Sequence, residues 1–126
     1  MTRFYLYLNA ALYLAFAAWC TLAPAQTAQG LGYAALSASG FSEYLVVYGG
    51  MELGFALFFV YCARRAQRLG LVFSVCLYAP IVAWRWPTVV AYWPVSSTTL
   101  ATGALEVVLL AVALALLRFS AHTDSH

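Results

Sequence analysis

Four apolar stretches, each long enough to cross a lipid bilayer, constrain the fold of this chain more than any other feature. They cover approximately residues 4–23, 43–63, 69–86 and 99–118. At a rise of about 1.5 Å per residue, about 20 helical residues match a hydrocarbon core of roughly 30 Å. The sequence therefore predicts an all-α fold, a single four-helix transmembrane bundle that occupies residues 1–126.

Composition places the chain among membrane proteins. Of its 126 residues, 65% are hydrophobic and only 8% are charged, whereas a soluble domain has about 25% charged residues. The basic residues are few and lie next to the apolar stretches, which is not the footprint of a nucleic-acid-binding protein. The length leaves no room for a soluble domain beside the four helices.

The arginines predict the orientation in the membrane. In a four-pass topology, five arginines fall on one side: Arg3, Arg64, Arg65, Arg68 and Arg118. The positive-inside rule makes that side cytoplasmic, so both termini are expected in the cytoplasm. Tryptophans favour the headgroup level, and all four fall near the opposite, outer interface: Trp19, Trp84, Trp86 and Trp93.

The N-terminal stretch has a competing interpretation as a secretory signal. Arg3, the apolar residues 10–22 and the triplet Ala23-Pro24-Ala25 together resemble a signal with an A-x-A cleavage site. The apolar stretch begins at Phe4, however, which makes it longer than a usual signal core, and it carries a patterned polar face. A retained first helix is therefore favoured over a cleaved signal.

Two glutamates, Glu52 and Glu106, lie in the middle of predicted membrane spans. A carboxylate at membrane depth costs roughly 2–3 kcal/mol even on lenient insertion scales. Each glutamate therefore needs either a partner or a function, and an ionisable residue at this depth is by default a candidate for a functional site.

Every predicted helix carries one stripe of polar or tyrosine side chains at intervals of three and four residues, which place them on one face. Lipid disfavours such stripes, so they are expected to converge inside the bundle. The predicted ligand-binding polar centre contains Asn9, Tyr13, Tyr44, Tyr48, Glu52, Tyr78, Arg85 and Glu106. For any one tyrosine taken alone, simple packing is an adequate explanation.

The outer loops are expected to form a rim above this centre. The first loop, residues 24–42, is long and too apolar for a free linker, so we expect it to fold onto the outer mouth of the bundle. The predicted rim residues are Glu43, Trp84 and Trp93. Glu43 opens the predicted second helix, where capping of the helix dipole is the simplest role for its charge.

Small residues predict where helices approach closely. Gly50 and Gly54 form a small-xxx-small element beside Glu52, and this glycine face is a candidate contact with a second copy of the chain. The cysteines, Cys20, Cys62 and Cys76, have no paired or metal-like spacing and are interpreted as small buried hydrophobic residues.

A series of short motifs between residues 31 and 59 carries a family resemblance. It comprises Leu31-Gly32-Tyr33, Leu36-Ser37-Ala38-Ser39-Gly40, Ser42-Glu43-Tyr44, Val47-Tyr48-Gly49-Gly50 and Gly54-Phe55. These motifs resemble small bacterial membrane proteins of domain of unknown function 4345, a group that looks related to the DoxX-like four-helix proteins. Arg85 and Glu106 look like that family's arginine near the end of helix three and glutamate in helix four. The chain departs from it at Leu45, where a basic residue is expected, and lacks the acidic-glycine turn after helix three.

The resemblance implies a four-helix fold in a bacterial inner membrane, and it brings no established activity. No enzyme motif is present: the sequence has no HExxH, nucleophile elbow or glycine-rich phosphate loop. The only histidines, His122 and His126, lie in a polar tail, so neither a metal site nor a cofactor is assigned.

Three function classes remain open. The leading hypothesis is a pocket that opens to the outer face and binds a small apolar or amphiphilic molecule, such as a lipid or quinone, or an accessory subunit built around such a pocket. The second is a structural bundle in which Glu52, Arg85 and Glu106 clamp helices together. The third is an oligomeric proton-coupled transporter of small molecules, since membrane glutamates can carry protons.

Overall fold

Four long apolar helices dominate the computed structural model, which describes the backbone of residues 1–123 and the side chains of residues 1–119. The side chains of His122 and His126 lie outside the described residues. The elements in chain order are α1 (Thr2–Leu22), α2 (Pro24–Gly30), α3 (Ala38–Leu45), a π-helix (Val46–Met51), α4 (Glu52–Arg65), α5 (Gln67–Ala91) and α6 (Ser97–Thr123). Throughout this part of the chain the regular structure is helical, which confirms the all-α prediction.

Length and composition allow four of these helical segments to cross a membrane. They are Thr2–Leu22, Ala38–Arg65, Gln67–Ala91 and Ser97–Phe119. The second segment is continuous, because α3, the π-helix and α4 follow one another without a break. The chain is therefore a multi-pass helical membrane protein by the criteria of length and hydropathy.

The second span begins five residues before the predicted start at Glu43. Ser37 caps it, because its side-chain oxygen accepts a hydrogen bond from the backbone N–H of Gly40 at 3.1 Å. A serine that accepts such a bond stabilises the first helical turn. The predicted capping role of Glu43 is therefore wrong, and Glu43 lies in the second turn of α3.

The third span continues past the predicted end at residue 86 and includes both Pro80 and Pro87. The hydroxyl of Thr88 donates to the carbonyl oxygens of Trp84 and Arg85, at 3.0 and 2.8 Å. Serine and threonine side chains commonly supply backbone partners near a proline in membrane helices. The loop between the third and fourth spans is consequently limited to residues 92–96.

The helices pack as two pairs, with α1 against the second span and α5 against α6. Gly70 brings the pairs together, since a Cβ atom built there would lie 2.8 Å from both Cys62 Cβ and Leu6 Cδ2. Leu6, Phe59 and Leu71 are fully or almost fully buried in the resulting core. The absence of a side chain at Gly70 thus permits this close approach of α5 to α1 and α4.

Hydrogen bonds join the start of α1 to the end of α4. Arg3 Nε donates to the carbonyl oxygen of Ala63 at 3.1 Å, and Arg64 Nε donates to the hydroxyl of Tyr7 at 3.3 Å. Leu117 of α6 packs against the same core as Leu6. Both ends of the described chain therefore lie at one end of the bundle, here called the terminal end, and the opposite end is called the loop end.

Part of the predicted loop 24–42 is helical and packs onto the loop end. Thr27 and Ala28 of α2 are buried, and Ala28 belongs to a small apolar cluster with Cys20 and Tyr44. Cys20 and Cys62 are buried as expected, but Cys76 is exposed. Gly50 and Gly54 are exposed as well, and a Cβ built on either would meet nothing within 4 Å.

Candidate functional site

Arg85 of α5 and Glu106 of α6 form a bidentate ion pair. Nε donates to Oε2 at 2.5 Å and Nη2 donates to Oε1 at 2.6 Å, and the side chains are 27% and 12% exposed. Gly103 makes room for this geometry, because a Cβ there would lie 2.7 Å from Arg85 Cδ. A guanidinium matches a carboxylate in shape, so the two charges neutralise each other inside the bundle.

A second polar group links α1 to α5 and α6. The hydroxyl of Tyr78 donates to Asn9 Oδ1 at 2.5 Å, and Asn9 Nδ2 donates to the carbonyl oxygen of Tyr5 at 2.8 Å. The hydroxyl of Tyr5 in turn donates to the carbonyl oxygen of Leu109 at 2.9 Å. All four residues are buried, so this chain of hydrogen bonds satisfies polar atoms that would otherwise be stranded.

Glu52 differs from Glu106 because it has no comparable partner. Its Oε2 atom is buried and has no hydrogen-bond partner among the residues that the structure describes. Glu52 is the first residue of α4, directly after the π-helix Val46–Met51. Single turns of π-helix are frequent at functional sites, since the extra residue redirects the side chains around it.

Tyr13 lies within electrostatic range of both glutamates. Its hydroxyl interacts electrostatically with both Glu52 and Glu106. Its ring is held by Phe55, edge-on at 5.5 Å, and by Phe59, stacked at 5.7 Å. Both carboxylates therefore face the interior of the bundle, although only Glu106 is paired there.

A cluster of tyrosines lies at the loop end of the second span. Tyr44 donates a hydrogen bond to Thr27 Oγ1 at 2.9 Å and a weaker one to Cys20 Sγ at 3.5 Å. The hydroxyls of Tyr33 and Tyr48 are 3.3 Å apart. Tyr44 packs with the first interhelical segment, and Tyr48 contacts Tyr33 of that segment while staying within electrostatic range of Glu52 and Arg85.

This cluster borders a surface depression of about 240 Å³. Its main lining residues are Tyr33, Leu36, Glu43, Tyr44, Val47 and Tyr48. Tyr48 also interacts electrostatically with Glu52, four residues further along the helix. Glu52 itself does not line the depression, but it follows Tyr48, which does, on the same membrane span.

Only one of the three predicted rim residues lines the depression. Glu43 lines the depression. Trp84 and Trp93 are 75% and 64% exposed, and neither lines it. Exposed tryptophans at the loop end suit the headgroup level of a bilayer better than the wall of a pocket.

Three contributors to these sites were not selected from the sequence: Tyr33, Thr27 and the π-helix. Tyr33 stands in a loop, where helical spacing gives no information, and Thr27 lies in the short α2. The Gly49-Gly50 pair was the available signal for an irregular turn before Glu52.

The fold and the site together define a multi-pass helical membrane protein whose polar interior is divided among several small groups. No family model, curated protein or solved structure matches this chain. Within the described residues there is also no cluster of three or more His, Cys, Asp or Glu side chains with metal-binding geometry.

Proposed function

We propose that this protein binds a small amphiphilic molecule, such as a lipid or a quinone-like compound, from the outer side of a bacterial inner membrane. The single observation that carries the proposal is the buried Oε2 atom of Glu52, which has no partner among the described residues. A polar atom in that position is costly unless a hydrogen-bond donor reaches it. A quinol, or a lipid headgroup with a hydroxyl or amine donor, would meet that need.

The surrounding residues support this choice of site. Tyr48 connects Glu52 electrostatically to the depression at the loop end. Leu36 and Val47 supply apolar contacts there, and tyrosine hydroxyls supply polar ones. Small-molecule sites combine mostly apolar walls with a few polar groups in this way.

The other polar groups are less suited to a ligand because they satisfy one another. Arg85 is held by Glu106 with two hydrogen bonds, and Tyr78 is held by Asn9. A ligand would have to break these contacts to use them. Among the predicted site residues, we therefore assign the polar groups of Glu52 and Tyr48 to binding, whereas Tyr44, whose hydroxyl is bound to Thr27, contributes only its ring.

The experiment compares wild type with Glu52→Gln by native mass spectrometry after mild detergent extraction. Glutamine nearly preserves the shape of glutamate and removes its charge, so the variant should fold and lose the co-purifying amphiphile. Tyr61→Phe is the matched control, because Tyr61 is 55% exposed and its ring contact with Phe58 is kept. A wild-type protein without any bound amphiphile, or a Glu52→Gln variant that retains it, would refute the proposal.

A structural scaffold is the second candidate, and the Arg85–Glu106 pair favours it. Under this alternative the buried polar groups only hold helices together, and the protein serves as an accessory subunit. If this alternative holds, no specific molecule should co-purify, and breaking the Arg85–Glu106 pair should lower the stability of the protein.

We also propose that the chain is related to the domain of unknown function 4345 proteins and that both of its termini are cytoplasmic.

Proton-coupled transport is a further alternative, and it requires a second copy of the chain, since 126 residues are few for an alternating pathway. The open face at Gly50 and Gly54 supports a contact between two copies.

A further inference from the structure

The depression at the loop end has aromatic walls that meet at an angle. The ring planes of Tyr33 and Tyr44 are nearly perpendicular, at 85°, with centroids 6.0 Å apart. Tyr44 and Tyr48 are tilted by 35°, with centroids 4.6 Å apart. The faces of aromatic rings carry partial negative charge, so a corner built from such rings attracts a cation.

Glu43 adds a full negative charge to this corner. It is exposed, it lines the depression, and it forms no ion pair or hydrogen bond with another described side chain. Arg85 lies towards the loop end of α5, and its charge is neutralised by Glu106. Arg3 and Arg64 are bound at the opposite end of the bundle. The loop end therefore has an uncompensated carboxylate beside three tyrosines.

We propose that this depression binds a quaternary organic ammonium group, whose apolar substituent packs on Leu36 and Val47. The inference goes beyond the proposed function, because a quaternary ammonium has no N–H to donate to Glu52 and is recognised by Glu43 and the tyrosines that line the depression. Recognition combines cation–π attraction to the tyrosines with Coulombic attraction to Glu43. The headgroups of choline lipids share this chemistry with free quaternary ammonium compounds.

The first test is calorimetric titration of the detergent-purified protein with tetramethylammonium chloride, with sodium chloride at equal ionic strength as the reference. Glu43→Gln and Tyr33→Leu should each weaken binding by about fivefold or more. Tyr33→Phe should bind within about twofold of wild type, because the ring face is kept. Tyr92→Leu is the matched control, since Tyr92 is 76% exposed and does not line the depression.

The second test identifies the source of the ammonium group. The protein is placed in nanodiscs with equal amounts of phosphatidylcholine and phosphatidylglycerol and then released for native mass spectrometry. Preferential retention of phosphatidylcholine, lost in Glu43→Gln, supports a lipid headgroup as the ligand. Binding of tetramethylammonium without any lipid preference supports a soluble ammonium compound.

The experiments distinguish failure of the ammonium site from failure of the proposed function. No binding of tetramethylammonium, or equal binding by wild type, Glu43→Gln and Tyr33→Leu, overturns the ammonium site. If Glu52→Gln alone loses a co-purifying amphiphile, the proposed function stands and the ammonium site fails. If tetramethylammonium binding depends on Glu43 and Tyr33 while wild type retains no amphiphile, the ammonium site stands and the proposed function fails.

Discussion

Arg85 and Glu106 face each other with two parallel hydrogen bonds, 2.5 and 2.6 Å long, that tie α5 to α6. Each residue belongs to a different membrane span, and 21 positions of sequence separate them. The pair is a specific contact between these two helices.

We predict that Glu106→Gln lowers the free energy of unfolding by about 2 kcal/mol. The change leaves the guanidinium of Arg85 inside the bundle with an amide oxygen in place of a carboxylate. The loss is smaller than the roughly 3–5 kcal/mol of a fully buried pair, because Arg85 is 27% exposed. Denaturant unfolding in mixed micelles measures this difference in the free energy of unfolding.

The matched control is the double variant Arg85→Met, Glu106→Met, which removes both charges. Replacing a buried pair with apolar residues is often neutral, so the double variant should be more stable than Glu106→Gln alone. A double variant less stable than the single one would show that the interaction is not the cause of the loss.

Tyr78→Phe should destabilise the bundle by about 1 kcal/mol. The variant removes the hydroxyl that donates to Asn9 Oδ1 and leaves that buried oxygen without this donor. Tyr61→Phe removes a hydroxyl from an exposed ring and should have no effect in the same unfolding assay. Equal stability of the two variants would contradict the importance of the buried network.

Gly70→Ala should lower the free energy of unfolding by about 1–3 kcal/mol, the usual range for overpacking. The new methyl group would lie 2.8 Å from Cys62 Cβ, which is fixed by the backbone of α4. Gly30→Ala is the control, because a Cβ there meets nothing within 4 Å. A Gly70→Ala variant as stable as wild type would mean that α5 can move away from α4 at little cost.

Gly54→Leu should weaken self-association by roughly tenfold if two copies meet through the glycine face. Energy transfer between labelled copies in vesicles, followed during dilution with lipid, measures the monomer–dimer equilibrium. Ala104→Leu also places a leucine at an exposed position, on α6, and should have no effect. Absence of energy transfer in the wild type would exclude the proposed contact.

A fluorescent protein that folds only in the cytoplasm should fluoresce when it is fused to either terminus. We expect this because both termini are predicted to be cytoplasmic. The expectation follows from the arginines at the terminal end, including Arg3 and Arg64. The same reporter inserted into loop 92–96 should remain dark. A bright loop fusion with dark terminal fusions would reverse the assigned orientation.

Hydropathy located the spans well, and their ends poorly. The third span passes through Pro87, although proline usually disfavours helix at the residue before it. The second starts at Ala38 because the side chain of Ser37 caps it. Such ends depend on individual hydrogen bonds, to which an average over apolar residues is insensitive.

The polar stripes predicted one centre, and the structure distributes the same residues among several contacts. Constant spacing of three and four assumes an unbroken α-helix. The π-helix before Glu52 interrupts that spacing between Tyr44 and Glu52. Tyr44 and Tyr48 pack with Tyr33 and α2, whereas Tyr78 binds Asn9 and also interacts with Tyr13.

The sequence by itself determined the all-α class, the number of membrane spans and the small set of polar residues within them, because length and hydrophobicity are properties of each segment alone. Only the tertiary structure decided which of those polar residues satisfy one another. Glu52 and Glu106 look alike in the sequence, yet Arg85 reaches Glu106 and leaves an oxygen of Glu52 unpartnered. The difference arises because hydrogen bonds act over about 3 Å, so they depend on helix contacts that no single segment contains.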